Sequence, residues 1–276
     1  MTRFIAAFPM YDWPEVRPEV DAQWARLRDR LRRQGIDAPK TLVRRNADMP
    51  AVRGGICDAA GAVIAPDPAA LPPDELNLHT LWLHPQLLIA QACWGPMELG
   101  LSRHVQVVAQ PDYSAFEGGQ GEQYSSAIVM RRDIAGNDVE APPDGAPLIP
   151  LGRLRGKRFA YNSADSMSGR IALARDLNAA GASLDLFSSR VQTGGHRASM
   201  RAVAEGRADL AAVDCRSWDM ARRFDPAAKL LSVVGWTARR KGLPYVCPLA
   251  TPPDVVAALR EAVTATLLEE TAAGRL

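Results

Sequence analysis

The stretch from Gly156 to Gly169 reads GKRFAYNSADSMSG, and it decides the fold prediction for this chain. Its first six residues, 156–161, have the length and apolar content of a buried strand. The polar loop 162–168 follows, and a helical pattern then runs to Gly181. A strand, a short polar loop and a helix in this order form the repeating unit of α/β folds.

The same alternation continues along the chain on both sides of this stretch. Downstream, apolar runs predict a helix at 199–205 and strands within 184–191 and at 210–213, 230–234 and 245–248. Upstream, they predict helices at 16–31 and 86–93 and strands at 4–8, 41–43, 78–83, 105–108 and 124–130. A final amphipathic helix follows Pro252 and Pro253. The predicted class is therefore α/β with mostly parallel sheets.

Two breaks in the pattern predict how the chain is divided into lobes. Residues 135–150 are rich in proline and glycine, and a second break lies around 242–248. These breaks predict that one lobe is inserted in the other. Lobe 1 comprises residues 1–125 plus 248–276, lobe 2 comprises residues 126–247, and a cleft is expected between them.

Composition excludes several classes of protein. The chain has 276 residues, of which 47% are hydrophobic and 23% charged, so it is neither disordered nor fibrous. Its net charge of +2 gives no reason to expect nucleic acid as a partner. The sequence contains no run of eighteen apolar residues, so it predicts no transmembrane helix. The four cysteines form no C-x-x-C pair and fit reduced thiols at least as well as disulfides.

The first residues leave the location of the protein open. The apolar run Phe4–Phe8 is too short for the core of a secretory signal and suits a first strand. The chain is then either cytoplasmic or the mature part of an exported protein.

The polar residues at strand ends are the candidate ligand-binding residues, because open parallel sheets bind ligands beyond the carboxyl ends of their strands. In the loop before the 169–181 helix, hydroxyls and backbone N–H groups suit an oxyanion, although one serine alone needs to be no more than a helix cap. Tyr11 and Trp94 are either lining or core aromatics, and His196 and Asp214 either bind ligand or complete local turns. The candidates are Tyr11, Trp94, Ser163, Ser166, Ser168, His196 and Asp214.

Enzyme and metal patterns fit the sequence poorly. It contains no G-x-S-x-G, G-x-x-x-x-G-K-[ST] or H-E-x-x-H motif. A hydrolase trio of Ser166, His196 and Asp214 can be assembled, but many unrelated sequences offer such a trio. His79 and His84 suggest a metal only weakly, because no third ligand lies nearby. We therefore predict no catalytic residue, no metal site and no cofactor.

Several motifs resemble one family over nearly the whole chain: the phosphate, phosphite and phosphonate substrate-binding proteins of ABC importers. The most specific are TGGHRAS at 193–199 and GRADLAAVD at 206–214, which match in order and spacing. The others are PMYD at 9–12, LWLHPQLL at 81–88, YSSAIV at 124–129 and NSADSMSG at 162–169.

The resemblance implies a type II periplasmic-binding-protein fold, in which two α/β lobes joined by two hinge strands close on a ligand. It implies that Ser166 and Ser168 hold the oxyanion and that His196 donates to it. Tyr11 and Tyr124 line the first-lobe side, and Asp214 accepts from an amine or hydroxyl of the ligand. The family often has a Gly-Tyr-Pro-like turn where this chain has Trp94-Gly95-Pro96, which predicts a bulkier wall.

The sequence thus predicts the solute-binding component of an ABC importer, most of all for a phosphonate or related phosphorus compound. Its expected partners are a small oxyanion and the permease subunits, and monomer is the usual state for the family. Periplasmic residence requires a signal peptide upstream or already removed. Two alternatives stay open: a nitrogenous ring ligand or cytoplasmic sensor on the same fold, and a serine hydrolase using Ser166 with His196.

Overall fold

The computed structural model describes residues 4–272, and within that range the chain forms two compact units. Unit 1 comprises Met1–Ala92, Met97–Gln110 and Leu243–Leu276, and unit 2 comprises Cys93–Pro96 and Pro111–Gly242. None of the helices described in this range has the length and apolar composition needed to cross a bilayer.

The strands follow one another along the chain as β1 (Ile5–Ala7), β2 (Ile56–Cys57), β3 (Val63–Ala65), β4 (Leu87–Gln91), β5 (Val105–Ala109), β6 (Gly119–Gln120), β7 (Gln123–Tyr124), β8 (Ser126–Arg131), β9 (Arg158–Tyr161), β10 (Ser189–Gln192), β11 (Leu210–Asp214), β12 (Leu231–Trp236), β13 (Arg240–Lys241) and β14 (Tyr245–Pro248). The α-helices are α1 (Arg17–Arg33), α2 (Leu78–Leu83), α3 (Trp94–Glu98), α4 (Arg132–Ala135), α5 (Leu151–Leu154), α6 (Ala172–Ala179), α7 (His196–Ala204), α8 (Cys215–Phe224) and α9 (Pro253–Ala272).

Unit 1 is built on a four-stranded sheet in the order β1-β4-β14-β5. Helices α1 and α9 pack against each other and supply apolar side chains to the same core as the sheet, such as Trp24 and Leu259. The core also contains Phe8, whose ring meets Trp24 edge-on at 5.7 Å and Tyr245 at 5.2 Å. The buried face of α1 therefore follows the three- and four-residue spacing of its apolar residues.

Unit 2 is built on a five-stranded sheet in the order β10-β9-β11-β8-β12. The three central strands are buried except at the ends of β9 and at the last residue of β8, because helices cover the sheet and leave no solvent face for alternation. A smaller sheet in the order β13-β7-β6 lies in the same unit. The pairing of β7 with β13 is the reason that residues 111–125 lie in unit 2, whereas the sequence prediction placed them in lobe 1.

Each central sheet has one antiparallel strand, and its other strands all run in the same direction, as the sequence predicts. In unit 1, β1 pairs with β4 in parallel, whereas β14 pairs antiparallel with β4 and with β5. In unit 2, β9 pairs in parallel with β10 and β11, whereas β8 is antiparallel to β11 and β12. The antiparallel strands β8 and β14 are those that follow irregular connections rather than a covering helix, so no right-handed crossover fixes their direction.

Two predicted elements in unit 1 have the opposite type in the structure. The predicted strand at 78–83 is helix α2, because the Asn77 side chain accepts from the Thr80 N–H at 2.9 Å and caps a helical turn. The predicted helix at 86–93 contains strand β4, whose five residues are all buried and pair with strands on both sides. Short continuous apolar runs have no period that distinguishes the two types.

The predicted strand at 41–43 is also absent. Val43 donates a backbone hydrogen bond to the Ala6 carbonyl at 2.8 Å, but no ladder continues from it. One isolated contact of this kind does not make a strand, since a strand requires successive pairs.

Candidate functional site

The loop that follows β9 in unit 2 leads into the helical turn Met167–Ile171, which continues directly as α6. Ser166 caps this helix, and its Oγ accepts from the Gly169 N–H at 3.0 Å. The Ile171 N–H donates to the Ser166 carbonyl at 3.0 Å, five residues back, so the turn is wider than an α-helical turn. Gly169 is required because a Cβ there would lie 1.8 Å from Asn162 Oδ1.

Three of the predicted residues meet at one point of unit 2. The Ser168 Oγ lies 2.9 Å from the His196 Nε2, and the same ring nitrogen lies 3.3 Å from the Asp214 Oδ2. Ser168 and Asp214 are buried, and the His196 side chain is 13% exposed. Ser168 comes from the turn, His196 is the first residue of α7, and Asp214 ends β11, so three strand ends supply this contact.

Asp214 is held rigidly in this position. It caps helix α8, and its Oδ1 accepts from the Ser217 N–H at 2.9 Å. In the sheet it lies directly opposite Ser126 of β8. Because opposite residues in an antiparallel pair share a face, Ser126 faces the same side as Asp214.

Tyr124 belongs to the same cluster. Its side chain is buried, and among the described residues its hydroxyl has no hydrogen-bond partner. Burial raises the pKa of Tyr124 well above its usual value, and the nearby Cys93 and Asp214 raise it further, whereas the Ser168 hydroxyl acts in the opposite direction. The phenol is therefore neutral and can donate.

The two neighbours of Trp94 in the chain both contact the 162–169 loop. The Met167 N–H donates to the Cys93 Sγ at 3.5 Å. On the other side, a Cβ on Gly95 would lie 1.7 Å from the Asp165 carbonyl oxygen, so only glycine permits this approach. Trp94 itself is half-buried.

The cluster holds several neutral groups whose ionisation burial suppresses. Burial lowers the pKa of His196, although the nearby Asp214 carboxyl and the Ala212 carbonyl oppose this effect, so the imidazole is mainly neutral at pH 7. Burial likewise raises the pKa of the Cys93 thiol to about 11. The donors of this cluster are therefore uncharged before an anion binds.

Two other predicted residues are not among the three side chains that meet at His196 Nε2. Ser163 is half-buried, and its carbonyl accepts from the Ser166 N–H at 3.3 Å, which is a structural role in the turn. Tyr11 follows β1 in unit 1 and is buried. Both stay predictions as ligand-binding residues.

Three polar residues of unit 2 lie near this site and are not among the residues predicted from the sequence. Ser126 and Asn162 each have a buried side-chain oxygen without a hydrogen-bond partner among the described residues, and Cys93 accepts from the turn. Ser126 could have been found from the run YSSAIV, because it is polar at the start of a strand that is otherwise apolar. Asn162 directly follows β9 and carried the same signal as the serines.

The arrangement does not match a hydrolase. The Ser166 hydroxyl accepts from Gly169, and the serine that contacts His196 is Ser168. Moreover, Ser168 and Asp214 both approach the same ring nitrogen, Nε2. A catalytic triad requires the carboxylate on the other nitrogen, where it orients the base toward the nucleophile.

The two histidines that weakly suggested a metal site, His79 and His84, contact backbone groups instead. His84 Nε2 lies 3.0 Å from the Pro50 carbonyl, and its Nδ1 accepts from the Gln86 N–H at 3.1 Å, which makes it a satisfied core histidine. His79 contacts the Ile64 carbonyl at 3.2 Å. Residues 4–272 contain no group of three or more His, Cys, Asp or Glu side chains placed to hold a metal ion.

Comparison with known proteins decides the family. Residues 97–274, more than half of the chain, match a family model described as "ABC transporter, phosphonate, periplasmic substrate-binding protein". The chain belongs to this family. Its members are substrate-binding components of ABC transporters and not enzymes, so they act with a small-molecule ligand and permease subunits. No curated protein matches the chain.

Solved structures of phosphonate-binding and related proteins have the same fold, that of type II periplasmic binding proteins. PhnD1 from Prochlorococcus marinus, in complex with methylphosphonate, matches with a TM-score of 0.59 at 17% identity, over 98% of this chain and 84% of that one. A Xanthomonas citri protein bound to chloride ion matches at 0.57 and 17%, over 94% and 82%. A binding protein component of an ABC phosphonate transporter from Pseudomonas aeruginosa matches at 0.57 and 13%, over 94% and 72%.

Proposed function

We propose that this substrate-binding protein captures a small phosphonate, and that Ser168, His196 and Tyr124 of unit 2 donate to its oxyanion. The observation that carries the proposal is the convergence of Ser168 and Asp214 on His196 Nε2, at 2.9 and 3.3 Å. The Tyr124 hydroxyl, which is buried beside the Ser168 hydroxyl, supports it. A buried donor without an acceptor costs about 1–3 kcal/mol, which a bound oxyanion would offset.

Asp214 then gives the site its preference among oxyanions. Its Oδ1 is held by the Ser217 N–H, and its Oδ2 faces His196. A carboxylate beside the ligand repels a fully ionised oxyanion and favours one that carries a proton, hydroxyl or amine able to donate to it. We infer that Asp214 accepts such a hydrogen bond from the ligand.

We further propose that units 1 and 2 are the two lobes of a cleft-closing binding protein, with Tyr11 as a ligand contact from the first. Binding would shift the population toward a closed state in which the ligand gains contacts. We propose that the protein works as a monomer in the periplasm and delivers its ligand to the permease; the family description supports the periplasmic role.

Isothermal titration calorimetry against methylphosphonate, phosphite, phosphate and sulfate tests the proposal. We expect binding of methylphosphonate, and a loss of about 1–3 kcal/mol in Ser168→Ala and His196→Ala. Ser189→Ala is the matched control, because this serine is exposed on β10. A folded protein that binds none of these anions would refute the proposal.

Mass spectrometry of ligand carried through purification separates this proposal from the nitrogenous-ring alternative. A phosphorus compound supports a phosphonate receptor. A ring compound without phosphorus would replace it with the alternative.

A further inference from the structure

We propose that Thr193 is a positioning residue for the ligand-binding site. Its hydroxyl, together with that of Ser199, takes the place of a helix cap and holds His196 beside the serine loop, residues 162–169. This inference rests on the proposed function, because it concerns how the same site is held in shape. It assigns a role to two hydroxyl groups of unit 2 that the proposed ligand contacts do not use.

Three helical segments begin at the site, and two of them have a capping side chain. Ser166 caps the turn that leads into α6, and Asp214 caps α8. Helix α7 begins at His196 and follows Gly195, and glycine has no side chain with which to cap a helix. The position of His196 therefore depends on contacts made by other residues of its loop and helix.

The Thr193 side chain supplies such contacts. Its Oγ1 lies 2.6 Å from the Oγ of Ser199, which is buried in the first turn of α7. The same Oγ1 lies 3.1 Å from the Tyr161 carbonyl and 3.2 Å from the Gly195 carbonyl. Each hydroxyl donates only one hydrogen, so both are satisfied when Ser199 donates to Thr193 and Thr193 donates to a carbonyl. The two hydroxyls thus tie the first turn of α7 to the loop before it.

The main chain of this loop is attached to the start of the serine loop. The Thr193 N–H donates to the Tyr161 carbonyl at 2.9 Å, and the Gly194 N–H donates to the Asn162 carbonyl at 2.9 Å. Gly194 has a φ of +88°, which glycine adopts without a steric penalty. Tyr161 ends β9 and Asn162 directly follows it. The loop before α7 and the serine loop therefore share one attachment point.

This attachment sets the distance on which the proposed site depends. The Ser168 Oγ lies 2.9 Å from the His196 Nε2, and hydrogen bonds weaken steeply when their geometry is disturbed. A binding site keeps such geometry only when supporting hydrogen bonds hold its side chains in place. Without the Thr193 hydroxyl, the buried Ser199 hydroxyl loses its acceptor and the first turn of α7 is less firmly held. Every ligand donor would remain, but His196 would be misplaced.

Calorimetry with methylphosphonate tests this role. Thr193→Val keeps the branched shape and loses the hydroxyl, so we expect it to bind about three- to tenfold more weakly than the wild type. Thr193→Ser keeps the hydroxyl and should bind within about twofold of the wild type. Val203→Ala is the matched control, because it removes buried methyl groups near the other end of α7 and should leave the affinity unchanged. Ser199→Ala replaces Thr193→Val if that variant does not fold.

A double-mutant cycle separates positioning from a general loss of stability. A residue that acts through His196 has nothing to position once the imidazole is removed. Thr193→Val should therefore cause no further loss of affinity in the His196→Ala background. Equal losses in the two backgrounds would mean that Thr193 acts elsewhere, and they would overturn the inference.

Proton–carbon spectra of the histidine rings in the ligand-free protein give a second measurement. The chain has four histidines, and the His196 signal is assigned by its disappearance in His196→Ala. We expect this signal to move in Thr193→Val and to keep its wild-type position in Thr193→Ser and Val203→Ala. An unmoved His196 signal in Thr193→Val would overturn the inference.

The outcomes separate this inference from the proposed function. Binding of methylphosphonate by the wild type, with the same affinity in Thr193→Val, overturns the inference and leaves the phosphonate site standing. Absence of heat with every anion tested overturns both. Weaker binding in Thr193→Val that Thr193→Ser restores, and that vanishes in the His196→Ala background, supports both.

Discussion

The arrangement around His196 predicts that ligand binding takes up a proton. In the free protein, burial lowers the pKa of this histidine, so it is mainly neutral at pH 7. Its Nε2 faces two oxygens, the Ser168 Oγ at 2.9 Å and the Asp214 Oδ2 at 3.3 Å. A bound phosphonate would add negative charge beside a ring that already has acceptors around it, and an imidazolium would then be favoured over the neutral form.

The expected size of this coupling follows from simple electrostatics. Opposite unit charges about 4 Å apart at an effective dielectric constant near 20 attract by about 4 kcal/mol. One pKa unit corresponds to 1.36 kcal/mol, so an attraction of this size raises the pKa of His196 in the complex. The dissociation constant should then increase with pH, by at most tenfold per pH unit, because the complex holds at most one more proton on this ring.

Calorimetry in two buffers with different ionisation enthalpies measures the number of protons taken up. The phosphonate titrates as well, so the useful quantity is the difference between the wild type and His196→Gln, which cannot accept the proton. We expect the wild type to take up more protons than the variant near pH 7. Equal proton numbers in the two proteins, or a net release that is larger in the wild type, would refute the reasoning.

Three further predictions concern stability. Gly95→Ala should lower the free energy of unfolding by about 1–3 kcal/mol in urea titrations, because its Cβ would meet the Asp165 carbonyl oxygen; an unchanged midpoint would contradict the close approach. Asp176→Asn should lower the free energy of unfolding by about 3 kcal/mol or more in the same assay, because it leaves the Arg240 guanidinium without its buried carboxylate. A loss below about 1 kcal/mol would mean that water replaces the carboxylate. Burial lowers the pKa of His84 in the folded state, so the unfolded state binds the proton more readily. The free energy of unfolding should therefore fall as the pH drops below about 6.5. His84→Gln should show a smaller fall, and an equal fall would rule out His84 as the cause.

The elements that sequence reasoning predicted correctly are those with a clear period or clear end signals. Helix α1 has apolar residues at three- and four-residue steps, and strand β11 ends at a polar residue before a helix. The segments 78–83 and 86–93 were exchanged, because both are short apolar runs and only pairing partners distant in sequence decide their type.

The candidate site shows the same limit in another form. Strand-end position pointed to Ser168, His196 and Asp214, which the fold brings together. It could not tell which of three neighbouring serines faces the histidine, because that depends on the width of one helical turn. Ser126 was missed because its importance comes from Asp214, the residue opposite it in the sheet. Asp214 lies 88 positions further along the chain, so no local pattern connects the two.

The wide turn at Met167–Ile171 makes the length of this segment as important as its composition. An α-helix rotates by about 100° per residue. Deleting one residue here would close the wide turn into a regular α-helix, and Ser168 would then rotate by about a quarter of a turn around the helix axis. Every side chain would keep its identity, yet the hydroxyl would face elsewhere. When relatives are aligned or this loop is grafted onto another scaffold, the extra residue has to be counted as part of the turn that places Ser168.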